Sequence, residues 1–333
     1  MEGAPLLVPI AFVFAPFAGL AIVAVGVALA IAAVSAHRVV RPSRLWRPAN
    51  WHAPEPPHET VTFRNEAGQT LSAWYVSPPS SGAPVVLVCH GFGTNRLEGQ
   101  DVLPWLAAAG YGALVFDFQA HGESEGRLTT VGLREVDDIL AAVRYVQERE
   151  GAAVPIFGLG FSMGASALIV AAARCHAIQA LFLDSPFATL RRAIAHSFHF
   201  FFRLPPRLFT RPTIWFAERF TGARVGDVEP IRAVAAIAPR PIAIAQGTAD
   251  SIVNPEDSLL LYAAAGEPKR LWRVEGVGHV GLRAVLPEEY RARALEFFSA
   301  ARAALDGGTH PMDGELLVAD DLGTRQLAAA HVE

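Results

Sequence analysis

Residues 154–174 read Val154-Pro-Ile-Phe-Gly-Leu159-Gly160-Phe161-Ser162-Met163-Gly164-Ala-Ser-Ala-Leu-Ile-Val-Ala-Ala-Ala-Arg174. A short apolar run ends in G-x-S-x-G and passes directly into an alanine-rich segment. That order predicts a buried strand over Val154–Leu159, a tight turn, and a helix over Met163–Arg174. Ser162 then stands on the strained turn between them, its hydroxyl exposed and its neighbouring amides at a helix N-terminus, where developing negative charge is favoured. Glycines two residues to either side fit a turn in which a Cβ would strike the neighbouring chain.

Working outward, further runs with few charges occur at Pro84–Cys89, Ala113–Phe118, Gln179–Leu183, Pro241–Gln246 and Arg270–Val274. Such runs suit strands buried on both faces of a parallel sheet. Helical stretches at Val131–Glu148, Pro255–Ala265 and Pro287–Leu305 separate them, and Thr60–Arg64 with Leu71–Ser77 forms an antiparallel hairpin ahead of them. The alternation predicts a mostly parallel, doubly wound α/β domain over residues 59–305. Residues 186–230 interrupt the rhythm, and residues 306–333 read as a disordered tail.

A nucleophilic serine needs a base, and the base needs an orienting carboxylate. In this layout they follow in the order Ser, Asp, His at the ends of later strands. Asp250 follows the run ending at Gln246, and His279 follows the run ending at Val274. Asp184 also ends a strand, but Asp250 is the last acid before the histidine's strand, so Asp184 is assigned to anchoring the start of the insert. His121 is read as a brace for its turn, and His196 and His199 as packing residues. The glycine-rich turn His90-Gly91-Phe92-Gly93 supplies one oxyanion amide, Phe92, opposite that of Met163. The chemistry so assembled needs no metal or organic cofactor.

Taken together, His90-Gly91-Phe92-Gly93, Asp117…His121-Gly122-Glu123-Ser124, Gly160-Phe161-Ser162-Met163-Gly164, Gly247…Asp250 and Gly278-His279 resemble the α/β-hydrolase superfamily, in particular its lipase, esterase and serine-aminopeptidase-like branch. The resemblance spans about residues 59–304. It implies an α/β-hydrolase fold of about eight strands with a helical cap insert, and Ser162, Asp250 and His279 as the catalytic triad.

The N-terminus lies outside that core. The chain has 333 residues, of which 52% are hydrophobic and only 18% charged, and no charged side chain occurs from Pro5 to Ala36. About 20 apolar residues cross a bilayer. Residues 1–41 are therefore read as a membrane anchor with a span at about 14–36, beginning near Ala15 because Pro9 and Pro16 would interrupt an earlier helix, and residues 42–58 as an extended Pro-rich juxtamembrane linker. The missing basic n-region and the length of the run favour a retained span over a cleaved secretory signal. Arg38, Arg41, Arg44 and Arg47 follow the span and none precedes it, which places the catalytic domain in the cytoplasm. A net charge of -4 argues against nucleic acid as a partner, and Cys89 and Cys175 are too few for a disulfide framework.

Within the insert, Phe187, Phe198, Phe201 and Trp215 are interleaved with arginines, giving a cap that is apolar inward and basic outward, whose rings either line an acyl site or fasten the cap to the core. The expected activity is that of a membrane-anchored serine hydrolase cleaving acyl esters or thioesters of small or lipid-like substrates. A peptidase or acyltransferase on the same triad is the alternative, and a catalytically silent scaffold a more distant one.

Overall fold

Short β-branched and aliphatic runs separated by helices assemble here into one sheet flanked on both faces. The structure, a computed structural model, describes residues 10–47, 58–307 and 316–319. The strands are β1 (Glu59–Arg64), β2 (Thr70–Val76), β3 (Val85–Cys89), β4 (Gly112–Phe116), β5 (Ile156–Phe161), β6 (Ile178–Asp184), β7 (Ile242–Gly247), β8 (Lys269–Val274) and β9 (Leu316–Ala319). The helices are α1 (Ile10–Val40), α2 (Leu103–Ala108), α3 (Arg134–Glu150), α4 (Met163–Arg174), α5 (Leu190–Phe202), α6 (Pro206–Thr221), α7 (Pro230–Ala233), α8 (Glu256–Ala264), α9 (Leu282–Val285) and α10 (Pro287–Leu305).

The sheet order is β1-β2-β4-β3-β5-β6-β7-β8-β9. The β1–β2 and β2–β4 pairs are antiparallel and every other pair is parallel. The central strands β3, β4 and β5 are buried along their whole length, as both-face coverage requires. On one face Val136, Ile139 and Val143 of α3 and Leu168 and Ile169 of α4 pack against Val85, Leu87 and Leu114. On the other, Leu103 and Leu106 of α2 and Tyr290, Phe297 and Phe298 of α10 pack against Val86, Phe157 and Phe182. Each face thus holds its own apolar layer, and the strand ends between the layers are free to carry chemistry.

Three expectations change. The apolar helix begins at Ile10 and runs through Pro16 without a break, and among the described residues its membrane-length apolar stretch is Gly19–Val40, which continues past the expected end at residue 36; a long apolar helix tolerates one proline. The tail, read as disordered, contributes Leu316–Ala319 as a ninth strand parallel to β8. These four residues are Leu-Leu-Val-Ala, and β8 offers them a row of unpaired backbone groups. Finally, the start of the juxtamembrane linker is pinned rather than extended. Arg44 donates to the carbonyls of Ser124 and Gly126, and the Asn95 amide donates to the carbonyl of Trp46 at 2.9 Å. Residues 48–57, the rest of that linker, lie outside the described residues.

Helix α1 packs along α6 through a stripe of small residues, with Ala32, Ser35, Ala36 and Val40 buried. Small side chains let two helix backbones approach closely. Its other faces expose Leu20, Ile22, Val23 and Val25. By length and composition it is able to cross a membrane, as a span or as a signal sequence.

Candidate active site

The turn after β5 fixes the position of Ser162, the expected nucleophile. Ser162 has φ +50° and ψ −111°, a backbone conformation that L-residues rarely hold. Its N–H donates to the carbonyl of Asp184 at 2.8 Å and its carbonyl accepts from the N–H of Ser166 at 3.0 Å, so the strain is held by bonds on both sides. The flanking glycines are sterically required. A Cβ on Gly160 would lie 2.6 Å from the Cα of Ala165, and one on Gly164 would lie 2.3 Å from the carbonyl oxygen of Cys89. Gly164→Ala therefore pushes α4 away from the end of β3, whose backbone cannot rotate aside. Because a displacement of about 1 Å near a reacting group costs on the order of 10²-fold, we expect kcat to fall by about that factor and the melting temperature to drop. Steady-state rates with a thermal melt check this, and an unchanged kcat contradicts it.

The structure brings the three expected side chains together. His279 Nε2 lies 2.9 Å from Ser162 Oγ, and His279 Nδ1 lies 2.6 Å from Asp250 Oδ2. Asp250 is buried, and all its carboxylate bonding is used. Oδ1 accepts the N–H groups of Ile252 and Val253, both at 2.8 Å, while Oδ2 also accepts Gln246 Nε2 at 2.9 Å. An ionised carboxylate so supplied with donors holds the imidazole with Nδ1 protonated and Nε2 free to accept from the serine.

Phe92 and Met163 both border the cavity beside Ser162. Met163 opens α4, so its N–H is one of the helix's unpaired first donors. In the facing loop, Gly91 N–H donates to Glu98 Oε2 at 2.7 Å and Gly93 N–H donates to His121 Nε2 at 3.4 Å, and Phe92 N–H lies between these two engaged amides. Two buried imidazoles support the loop. His90 Nε2 accepts the N–H of Phe118 at 3.0 Å, so its Nδ1–H donates to the carbonyl of Gly91 at 2.7 Å. Burial, reinforced by the neighbouring His121, pushes His90 well below the ordinary histidine value, and burial lowers His121 too. Both are kept neutral, as rigid struts rather than bases.

Asp184 takes a different place from the one assigned to it. It lies under the elbow, fully buried, with Oδ1 accepting the hydroxyl of Ser185 at 2.9 Å and with the buried Tyr290 hydroxyl beside it. Burial pushes its carboxyl up to about 6, against the opposing Ser185 hydroxyl, Arg283, His279 and the Tyr290 hydroxyl. The insert is anchored instead by Asp257, whose Oδ2 accepts Ala188 N–H at 2.9 Å and whose Oδ1 accepts Arg192 Nε at 2.6 Å.

A cavity of about 440 Å³ opens from Ser162 and His279 between the sheet and the insert. Phe187, Phe198 and Phe201 line it, but Trp215 does not. On α6 it is Thr213, Ile214 and Ala217 that face inward, and Trp215, 59% exposed, points about a hundred degrees away against Phe216. Residues that the sequence reading did not foresee here are Glu98, Gln246, and Arg38 and Val39 from the end of α1. His196 packs against the site, its Nε2 at 3.1 Å from the carbonyl of Asp250.

The protein-family model described as serine aminopeptidase, S33 (Hydrolase_4) matches residues 81–235. An uncharacterized protein of Mycobacterium tuberculosis is 32% identical over 228 residues, covering 67% of this chain and 73% of that protein. The crystal structure of an esterase from Pyrococcus furiosus superposes with a TM-score of 0.64 at 27% identity, covering 79% of this chain and 98% of that one. The chain belongs to the α/β-hydrolase superfamily. The similarity extends further, at 30% identity over 151 residues, to the lysophosphatidylserine lipase ABHD12 of Danio rerio, covering 42% of this hydrolase and 38% of that protein. The superfamily assignment agrees with eight strands of mostly parallel sheet, to which this hydrolase adds β9.

Proposed function

We propose that this hydrolase is a membrane-anchored serine hydrolase that cleaves acyl esters or thioesters of apolar acids, with Ser162, His279 and Asp250 as its triad. The observation that carries the reading is the continuous chain of contacts from Asp250 Oδ2 through both ring nitrogens of His279 to Ser162 Oγ. His279 takes the hydroxyl proton as Ser162 attacks the acyl carbonyl, and Asp250 stabilises the imidazolium that forms. The amides of Phe92 and Met163 receive the oxyanion. The proton then passes to the departing alcohol or thiol, and water hydrolyses the acyl-enzyme by the same route in reverse.

Apolar substrates are favoured by the cavity. Its walls are mainly aromatic and aliphatic, and its volume suits a small acyl ligand. A lipid source is supported by the surface around α1. Leu208 and Trp215 of α6 are exposed beside Arg207 and Arg211, an apolar and basic combination that suits a membrane interface. The similarity to an esterase of Pyrococcus furiosus and to a lysophosphatidylserine lipase of Danio rerio points the same way. Arg38, Arg41, Arg44 and Arg47 at and after the end of α1, with no basic residue before it in the sequence, support a cytoplasmic catalytic domain. A serine peptidase is the second reading, favoured by the aminopeptidase description of the matching family.

The test is labelling of the full chain with a fluorophosphonate, followed by a chain-length series of acyl esters against aminoacyl amides. Labelling lost in Ser162→Ala, with turnover of esters rising with acyl length, is the expected result. Turnover of amides alone transfers the assignment to the peptidase, and labelling that survives Ser162→Ala removes the triad.

A further inference from the structure

The cavity above Ser162 is not closed by the hydrolase domain alone. Arg38 and Val39, from the last turn of α1, form part of its wall. Their placement is fixed rather than incidental. Ala36 and Val40 on either side are buried, and the carbonyl of Val40 accepts the N–H of Thr129 at 2.9 Å. Arg38 is exposed while still lining the cavity, so it stands at the rim. Among the described residues it has no carboxylate partner. Glu98, the acidic side chain bordering the same space, is committed to Gly91 N–H and to the hydroxyl of Thr94 at 2.8 Å. The interior beyond is apolar and excludes charge. A group bearing negative charge must therefore stay at the mouth, while the chain it belongs to extends inward.

Resting on the serine-hydrolase reading, we propose that the end of α1 is part of the substrate site: Val39 walls the acyl cavity, and the Arg38 guanidinium pairs with a phosphate or carboxylate carried on the leaving-group side of the scissile ester. The preferred substrate is then an anionic single-chain acyl amphiphile, and the apolar helix is a component of the site as well as a tether. A guanidinium at a mouth of low dielectric makes charge-assisted, bidentate bonds to such a group. The competing role for Arg38 is to reach bulk lipid phosphates from the end of a span.

The experiment uses the full chain in neutral maltoside micelles. Substrates are monodecanoylglycerol, its glycerol phosphate counterpart, and the decanoyl ester of hydroxyacetate. We expect kcat/KM to be about tenfold higher on the two anionic esters than on the neutral one, the size of one charge-assisted hydrogen bond. Arg38→Ala erases that ratio and Arg38→Lys keeps part of it. Val39→Trp lowers the ratio of decanoyl to acetyl ester turnover. Phosphate and carboxylate arms show which anion is preferred. A ratio unmoved by Arg38→Ala, including an equal fall on all three esters, overturns the proposal. So does an effect that appears only in vesicles containing phosphatidylglycerol and equally for every ester, since that reports adhesion to bulk lipid. Binding of decyl phosphate to the Ser162→Ala chain, weakened about tenfold by Arg38→Ala, reads the same contact without turnover. Arg38-dependent binding with no fluorophosphonate labelling of the parent chain removes the catalytic reading and leaves this one. Labelling without Arg38-dependent binding does the reverse.

Discussion

Ser162→Ala is expected to lower kcat on an acyl ester by a factor on the order of 10⁶, the loss seen when the nucleophile of a serine triad is removed. The size follows from what the side chain does. His279 Nε2 at 2.9 Å can accept a proton only from an oxygen that then becomes the nucleophile. Without that oxygen no acyl-enzyme forms, and attack is left to a water that lacks the fixed position of the serine hydroxyl. The amides of Phe92 and Met163 remain in place, so a residual advantage on the order of 10³–10⁴ over the reaction in water persists. Folding is the control. Ser162 holds φ +50° whatever its side chain, so alanine inherits the strained backbone, whereas Ser162→Gly relieves it and should melt higher than Ser162→Ala. Steady-state kinetics with thermal melts of both variants check this. A loss of less than a hundredfold in a folded variant would mean that some other group performs the attack.

The elbow was legible because its determinants are local. Gly160 and Gly164 are required by atoms a few residues away or on the strand alongside, and a helix must begin at Met163 for the turn to close. Asp250 and His279 were legible because strand order alone puts them at the same sheet edge. What escaped depends on packing between distant segments. Arg38 and Val39 reach the cavity only because α1 lies along α6, and nothing in residues 10–40 indicates which side faces a partner when nearly every side chain is apolar. Trp215 failed for a related reason. Trp215 is four residues from both Arg211 and Arg219 on α6, so helical spacing sets it on the charged face, a phase that its aromatic neighbours Phe209, Phe216 and Phe220 obscured. Asp257 sits in the first turn of α8, where an acid already has a helix-dipole explanation, which hid its bonds to Ala188 and Arg192. Leu316–Ala319 is four residues long, too short for periodicity to mark it as a strand.

Two acids end neighbouring strands, and the second large effect separates them. Asp250→Asn should cost about 10⁴ in kcat, as the equivalent change does in serine proteases, by fixing the wrong tautomer. Its Oδ1 would still accept the N–H groups of Ile252 and Val253, so the new NH₂ takes the place of Oδ2 and faces His279 Nδ1. That nitrogen must then accept, which moves the ring proton to Nε2 and points it at Ser162, where it cannot act as a base. The variant can fold, because Gln246 Oε1 has no hydrogen-bond partner among the described residues, and a flip of that amide lets it accept from the new donor. Asp184→Asn should behave in the opposite way, with kcat within tenfold of the parent and its effect confined to stability. Burial holds the folded Asp184 carboxyl near 6, above its ordinary value of 3.8, so between these values the folded chain binds more protons than the unfolded one. The parent therefore loses stability as pH rises through that window, and removing the charge removes the loss. Asp184→Asn should gain stability relative to the parent by about 1 kcal/mol more at pH 8 than at pH 5. Melts at the two pH values, beside the kinetics of both variants, test the pair. If Asp184→Asn abolishes turnover while Asp250→Asn spares it, the orienting carboxylate is the one beneath the elbow, and the contact at 2.6 Å between Asp250 and His279 is structural only.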